Sequence, residues 1–237
     1  MDFKLYECMA TKNECYKQAR AMLAEGIVVH STGANNPYLK RYVQPDDGYL
    51  GENIYGNSVN REDCRVIAHA YIGKDKFGDV KCYQVLPFDI ACWSAGSGSK
   101  GSYNYDPNGH IQFEICEDGL NDEDYFNKAF DCAARFCAFL CKEFKLGVDT
   151  ICSHKEAHAQ GYASNHGDPE NWLTKFGKDM DWFRDKVSAI LDSENGDAPS
   201  VLYRVQVGAF RNRVYAEMMV DDLKAAGFDA FITAVTE

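Results

Sequence analysis

The chain has 237 residues, 46% of them hydrophobic, with a formal net charge of −11 and a pI near 5.0. That length and apolar content suffice for one large domain, or a medium domain with a small one. The acidic balance gives no general attraction to phosphate backbones or anionic lipid, so neither nucleic acid nor membrane is expected as a partner.

From the N-terminus, residues 1–26 contain acidic residues and no apolar core of signal-peptide length, and no later run approaches a bilayer span. This predicts a protein made in the cytoplasm without a signal peptide. Residues 12–25 (KNECYKQARAMLAE) read as a helix stopped by Gly26, and GIVVHST follows as a short strand that carries His30 into a loop. Residues 35–60 are rich in Asn, Gly, Pro, Tyr and Asp, the composition of a long loop, and loops of that length are often functional. CRVIAHAYIG (64–73) and DVKCYQVL (79–86), separated by the turn-like KDKFG, read as a hairpin.

The loop ACWSAGSGSKGSYNYDPNG (91–109) combines Trp93, Tyr103 and Tyr105 with many Gly and Ser. That composition suits sugar or peptide contact and equally suits a flexible surface loop. In GHIQFEICED (109–118) the alternation puts Ile111, Phe113 and Ile115 on one face and Gln112, Glu114 and Cys116 on the other, so Glu114 points away from the apolar face. Residues 122–145 repeat apolar side chains at helical spacing (Phe126, Phe130, Ala133, Cys137, Cys141, Phe144), with Gly147 as a stop. VDTIC (148–152) is a strand leading into a histidine-rich stretch, and residues 179–191 form a closing helix.

Residues 192–200 (DSENGDAPS) are polar with Gly and Pro and read as a linker. Beyond it, residues 201–210 predict a strand, 216–227 a helix and 228–235 a second strand, a small βαβ unit without a convincing core of its own. The ten cysteines include no CxxC pair, and several sit among apolar neighbours, as in FCAFLC (136–141). They are expected to be reduced and mainly structural.

A catalytic zinc site needs three ligands from His or carboxylate in tetrahedral arrangement, with the fourth position left to water. His30, His154 and Asp168 could supply them, because each lies at or just beyond the end of a predicted strand, where distant segments converge at one end of a sheet. Position alone leaves an ordinary polar role open to each. His158, four residues after His154, is the rival ligand; His154 is preferred because it directly follows the VDTIC strand and starts from a fixed backbone. His69 could line the cleft or be a satisfied structural histidine, and His110 reads as a strand-edge residue.

The motifs IVVHSTG, HIQFEICE and SHKEAHAQGYASNHGDPENW, in this order and at these separations, resemble the type 2 N-acetylmuramoyl-L-alanine amidases. That family includes phage and prophage endolysins and is related to the peptidoglycan recognition proteins. The similarity covers about residues 20–190. It implies an α/β fold with a mixed central β-sheet flanked by helices, a Zn2+ cofactor and bacterial peptidoglycan as partner. Placed motif by motif, it implies His30, His154 and Asp168 as zinc ligands and Glu114 as the catalytic glutamate. His166 falls where many relatives carry a lysine that stabilises the oxyanion; a histidine does this only when protonated or as an N–H donor, so its contribution would depend on pH. Some relatives carry a tyrosine near the second strand, a place taken here by Ala68. The implied reaction is hydrolysis of the amide joining the lactyl group of N-acetylmuramic acid to L-alanine.

The C-terminal stretch YRVQVGAF, followed by an alanine-rich helix and GFDAFI, resembles the first half of a SPOR domain, a family that binds peptidoglycan glycan strands. The organisation expected is a zinc amidase catalytic domain at 1–191, a linker at 192–200 and a partial SPOR-like unit at 201–237. A muropeptide-recognition module that does not cut stands as the alternative, although non-catalytic relatives commonly lose the third ligand and Asp168 is present. A zinc peptidase acting within the stem peptide shares the same metal chemistry. Lack of a signal peptide fits an endolysin released to the wall by phage-type permeabilisation, and also a recycling enzyme.

Overall fold

The structure, a computed structural model, describes residues 3–44, 48–54, 56–194, 206–228 and 230–233. The chain divides into two units, residues 1–198 and 199–237.

In the first unit six strands form one sheet: β1 (Leu5–Glu7), β2 (Gly26–Ser31), β3 (Ala70–Lys74), β4 (Val80–Gln84), β5 (His110–Ile115) and β6 (Ile151–Ser153), in the order β1-β4-β3-β5-β2-β6. Only the β3–β4 pair is antiparallel; β2 runs parallel to both β5 and β6, and β3 parallel to β5. The sheet is therefore mixed, as expected, and the strands β2, β5 and β6 bring their C-terminal ends to one place.

One face of the sheet is sealed by α2 (Glu123–Phe144) and α5 (Met180–Glu194). Asp122 caps α2 by accepting a hydrogen bond from the Tyr125 N–H at 3.0 Å, and Glu123 and Asp124 favour the positive end of its dipole. Its buried stripe, including Phe126, Phe130, Ala133 and Cys137, packs with Ile111, Phe113 and Ile115 of β5 in one apolar cluster. Burying each such phenylalanine contributes roughly 1.5–3 kcal/mol. The helix ends at Lys145, in the left-handed conformation with φ 56°, before the expected Gly147 stop is reached.

Three expectations are corrected. The helix expected over 12–25 is only α1 (Glu14–Gln18), because Ala19 turns left-handed (φ 45°) and the chain then pairs elsewhere. The Met22 N–H donates to Asp89 O and the Ala91 N–H to Arg20 O, both at 2.8 Å, and Met22 enters the core. Tertiary pairing thus overrides a modest helix propensity. The first hairpin strand starts at Ala70 and not at residue 64, since the His69 N–H is drawn to Gln112 O at 2.8 Å. The stretch after β6 is a helix, α3 (His154–Gln160), where a loop was expected. Ser153 and Glu156 form a capping box, the Ser153 hydroxyl accepting from the Glu156 N–H at 2.9 Å and Glu156 from the Ser153 N–H at 3.1 Å. A short helix α4 (Glu170–Leu173) follows.

All ten cysteines are free, and Cys82, Cys92, Cys116, Cys137, Cys141 and Cys152 are buried. No helix among the described residues is long and apolar enough to cross a membrane.

In the second unit the described residues form one helix, α6 (Arg213–Ala225), capped by the Asn212 side chain. The strands expected over 201–210 and 228–235 fall partly outside the described residues, and 206–210 and 230–233 carry no strand. Among the described residues of this unit Phe210, Phe228 and Phe231 are exposed.

Candidate metal and catalytic site

His30 lies near the end of β2, His154 opens α3, and Asp168 follows in the loop before α4. Their ligating atoms lie within 4.8 Å of one another. His30 Nδ1 stands 3.0 Å from His154 Nδ1 and 3.3 Å from Asp168 Oδ2, while His154 Nδ1 stands 3.4 Å from Asp168 Oδ1. Both rings are buried. The Asp168 loop is fixed to β2 by the Ser31 N–H, which donates to Oδ2 at 3.3 Å.

The network around the rings decides which nitrogens carry hydrogen. Asn104 Oδ1 accepts from the backbone N–H of Ser94 and Ala95, so it is an acceptor, and the Gln112 amide nitrogen donates to it at 3.1 Å and to Tyr103 O at 3.0 Å. Gln112 Oε1 therefore faces His30 Nε2 at 3.0 Å and accepts its hydrogen. Likewise, the single hydroxyl hydrogen of Ser164 goes to Ala95 O, so Ser164 Oγ accepts from His154 Nε2 at 3.2 Å. Each Nδ1 then keeps its lone pair. Two lone pairs and a carboxylate converge on one point without a donor among them, an arrangement that a cation stabilises.

The fit to zinc can be tested on the spacings. Nitrogen and oxygen ligands held tetrahedrally at about 2.1 Å stand roughly 3.4 Å apart, and the three separations above run from 3.0 to 3.4 Å. The donor set, two imidazoles and a carboxylate with outer hydrogen-bond partners on both rings, suits zinc. Burial pushes the Asp168 carboxyl up, but the adjacent His154 and His30 outweigh it and hold the group well below the usual carboxylate range. Burial drives His154 down, which keeps it neutral and able to bind a metal.

Glu114 lies beside His30 in the β2–β5 register and faces the same side of the sheet. Burial raises its carboxyl to about 7, against the pull of His30, with the Asp168 charge adding to the rise. Its Oε1 accepts from the Ser94 hydroxyl at 3.3 Å, and its Oε2 is buried with no hydrogen-bond partner among the described residues. A carboxylate of that affinity with one free oxygen can accept and return a proton near neutral pH.

His166 sits on the rim: its side chain is 63% exposed, its ring lies 4.6 Å from that of His154, and Nδ1 is 3.9 Å from Asp168 Oδ1. His158 is exposed, bonds Ala163 O at 3.0 Å and does not belong to the converging group. His69 is a satisfied structural residue, since Nδ1 accepts from the Gln112 N–H and Nε2 donates to Ile90 O, both at 3.0 Å, and burial lowers it to about 4. His110 is buried at the start of β5, stacked on Tyr103 at 3.8 Å. The site lies on the side of the sheet opposite α2; a hollow of about 1070 Å3 between α2 and α5 contains none of these residues.

Sequence reasoning missed Gln112, Ser94, Ser164 and Tyr71. Gln112 shares the Glu114 face by simple alternation and was legible there. Tyr71 pairs in register with Glu114 and is buried, so a tyrosine stands beside Glu114 although Ala68 takes the place of the relatives' tyrosine. Nothing local marked the two serines, which reach the site only through the folding of their loops.

A family model described as N-acetylmuramoyl-L-alanine amidase matches residues 20–171, and a SPOR domain model matches residues 199–237. Among solved structures, the Staphylococcus aureus hydrolase AmiA is similar at 19% identity and TM-score 0.56, over 84% of this chain and 88% of that chain. PlyL is similar at 19% identity and TM-score 0.52, over 79% and 97% of the two chains. A mutant endolysin from Bacillus subtilis is similar at 20% identity and TM-score 0.52, over 78% and 99%. No curated protein matches by sequence.

Proposed function

This chain belongs to the N-acetylmuramoyl-L-alanine amidase family, and from that premise we propose that it cuts the lactyl–L-alanine amide of peptidoglycan with zinc held by His30, His154 and Asp168. The observation that carries the metal reading is the convergence of two Nδ1 lone pairs and a carboxylate at 3.0 to 3.4 Å. Bound there, zinc supplies Lewis acidity for the scissile carbonyl and for the attacking water.

The residues of the chain divide the remaining work. Glu114 takes a proton from the water through its free Oε2 and returns it to the leaving amine of L-alanine. Ser94 orients that carboxylate through Oε1. Gln112 and Ser164 hold the two imidazoles in the tautomer that presents Nδ1. His166, exposed on the rim, is free to turn an N–H toward the oxyanion of the tetrahedral intermediate.

We assign residues 1–191 as the catalytic domain, although α5 runs on to Glu194, residues 192–200 as the link and 201–237 as a partial SPOR-like unit that adds contact with the wall. The acidic net charge of −11 means that wall binding rests on specific contacts, with no nucleic acid or membrane as partner. The enzyme then acts on the wall after release from the cytoplasm.

The deciding experiment is incubation of metal-analysed protein with purified peptidoglycan, with and without a chelator, and mass spectrometry of the released products. Stem peptides that begin with L-alanine and disappear on chelation are expected. Bound but uncut wall, cleavage within the peptide, or release that a chelator leaves untouched would each overturn the proposal.

A further inference from the structure

Ser94 reaches Glu114, and its neighbour Trp93 belongs to a group of aromatic and basic side chains to which the chemistry assigns no role. Trp93 is 41% exposed, yet its backbone is held: its N–H and C=O pair with Ile67 at 3.1 Å each, and the next residue, Ser94, reaches Glu114. Asn104 ties Ser94 and Ala95 from within, so the indole projects from an ordered edge. Its ring lies within 13° of parallel to Tyr105, and the Arg20 guanidinium covers the Tyr105 ring at 4.3 Å. Together with Arg65 they line a hollow of about 310 Å3, within the size range of small-ligand sites.

The charges there are unusual for this chain. Acidic residues outnumber basic ones 36 to 25, yet neither Arg20 nor Arg65 forms an ion pair among the described residues. Glu14 also lines the hollow, and its carboxylate faces Lys17 at 3.1 Å, an ammonium it shares with Glu62 at 2.7 Å. Two guanidinium forks without a carboxylate partner among the described residues, one of them stacked on an aromatic ring, match a ligand with both a carboxylate and a sugar face.

We propose that this hollow binds a muramoyl unit whose lactyl carboxyl is already free, next along the glycan from the unit being cut. The inference rests on the amidase reading. In that reaction water adds its oxygen to the lactyl carbonyl carbon, the C–N bond breaks, the peptide leaves as an amine and the lactyl group remains as a carboxylate. An uncut unit presents a neutral amide at the same place, so the arginines distinguish cut from uncut units and favour successive cuts along one strand.

The test uses the full chain in chelator, so that neither turnover nor metal contributes. A disaccharide of N-acetylglucosamine and N-acetylmuramic acid is titrated as the free lactyl acid and as its lactyl amide. The readout is the part of the tryptophan fluorescence change that Trp93→Phe removes. The acid is expected to bind at least about tenfold tighter than the amide, and Arg20→Gln with Arg65→Gln to erase the difference. The same double variant should cleave a single muramoyl peptide at the wild-type rate but raise the KM for long glycan strands. Equal binding of acid and amide, or a preference that survives the double variant, would overturn the proposal. Since the titration needs no cleavage, it decides this hollow even if the wall-digestion experiment fails.

Discussion

On β5, Ile111, Phe113 and Ile115 turn to α2 and join an apolar cluster, while Gln112 and Glu114, interleaved with them, turn to a network of histidines, serines and amide side chains. The two faces of one strand thus differ in how they are specified. The helix-covered face depends on volume and tolerates any well-packed apolar set. The other face depends on which atom carries each hydrogen, so one exchanged donor disturbs several partners. On β5 itself, one face serves apolar packing and the other a polar network.

The sharpest way to break that comparison is Glu114→Gln. It should lower kcat/KM by roughly 10²–10⁴ without lowering the melting temperature or the zinc content, measured by steady-state kinetics, calorimetry and elemental analysis. The converse change is Phe130→Ala on α2, where a fully buried ring is lost. It should cost about 3–5 kcal/mol in denaturant unfolding while leaving one zinc per folded chain.

Next comes the pH dependence of the metal-free protein. Burial pushes the folded Glu114 carboxyl up to about 7, from an ordinary value of 4.5. Between those values the folded chain keeps a proton that the unfolded chain releases, so this group makes stability fall as pH rises across the window and level off above it. Wild type should lose up to about 3 kcal/mol more than Glu114→Gln over that range, a difference that parallel denaturant titrations would detect. The smallest effect expected is that of Gln112→Ala. By freeing the His30 tautomer it should weaken zinc binding about 10–100-fold in competition with a chromophoric chelator. The corresponding comparison of ligands is His154→Ala, which should lose zinc, against His158→Ala, which should keep it.

The helical face was the legible one. The spacing of Phe126, Phe130 and Ala133 announced α2, and the β5 alternation turned Glu114 to the correct side, because both patterns follow from backbone geometry alone. The position of His154 was legible, but its helix was not read, although Ser153 and Glu156 stood at capping-box spacing. Ser164 and Ser94 were beyond reach: each acts through a loop whose course depends on contacts far away in the chain. The short α1 failed for the opposite reason, since its local pattern was sound and the pairing of residues 19–22 with 89–91 prevailed.

The ten thiols bear on which side chains would compete for a zinc ion. A soft cation prefers thiolate, and a chain so rich in sulfur could divert the metal from two imidazoles and a carboxylate. Burial raises the thiols of Cys15, Cys82, Cys92, Cys116, Cys132, Cys137, Cys141 and Cys152. At neutral pH these sulfurs keep their protons, and a protonated sulfur is a poor ligand and a slow nucleophile. The burial of these eight cysteines would therefore keep them from competing with the histidine pocket for a divalent ion.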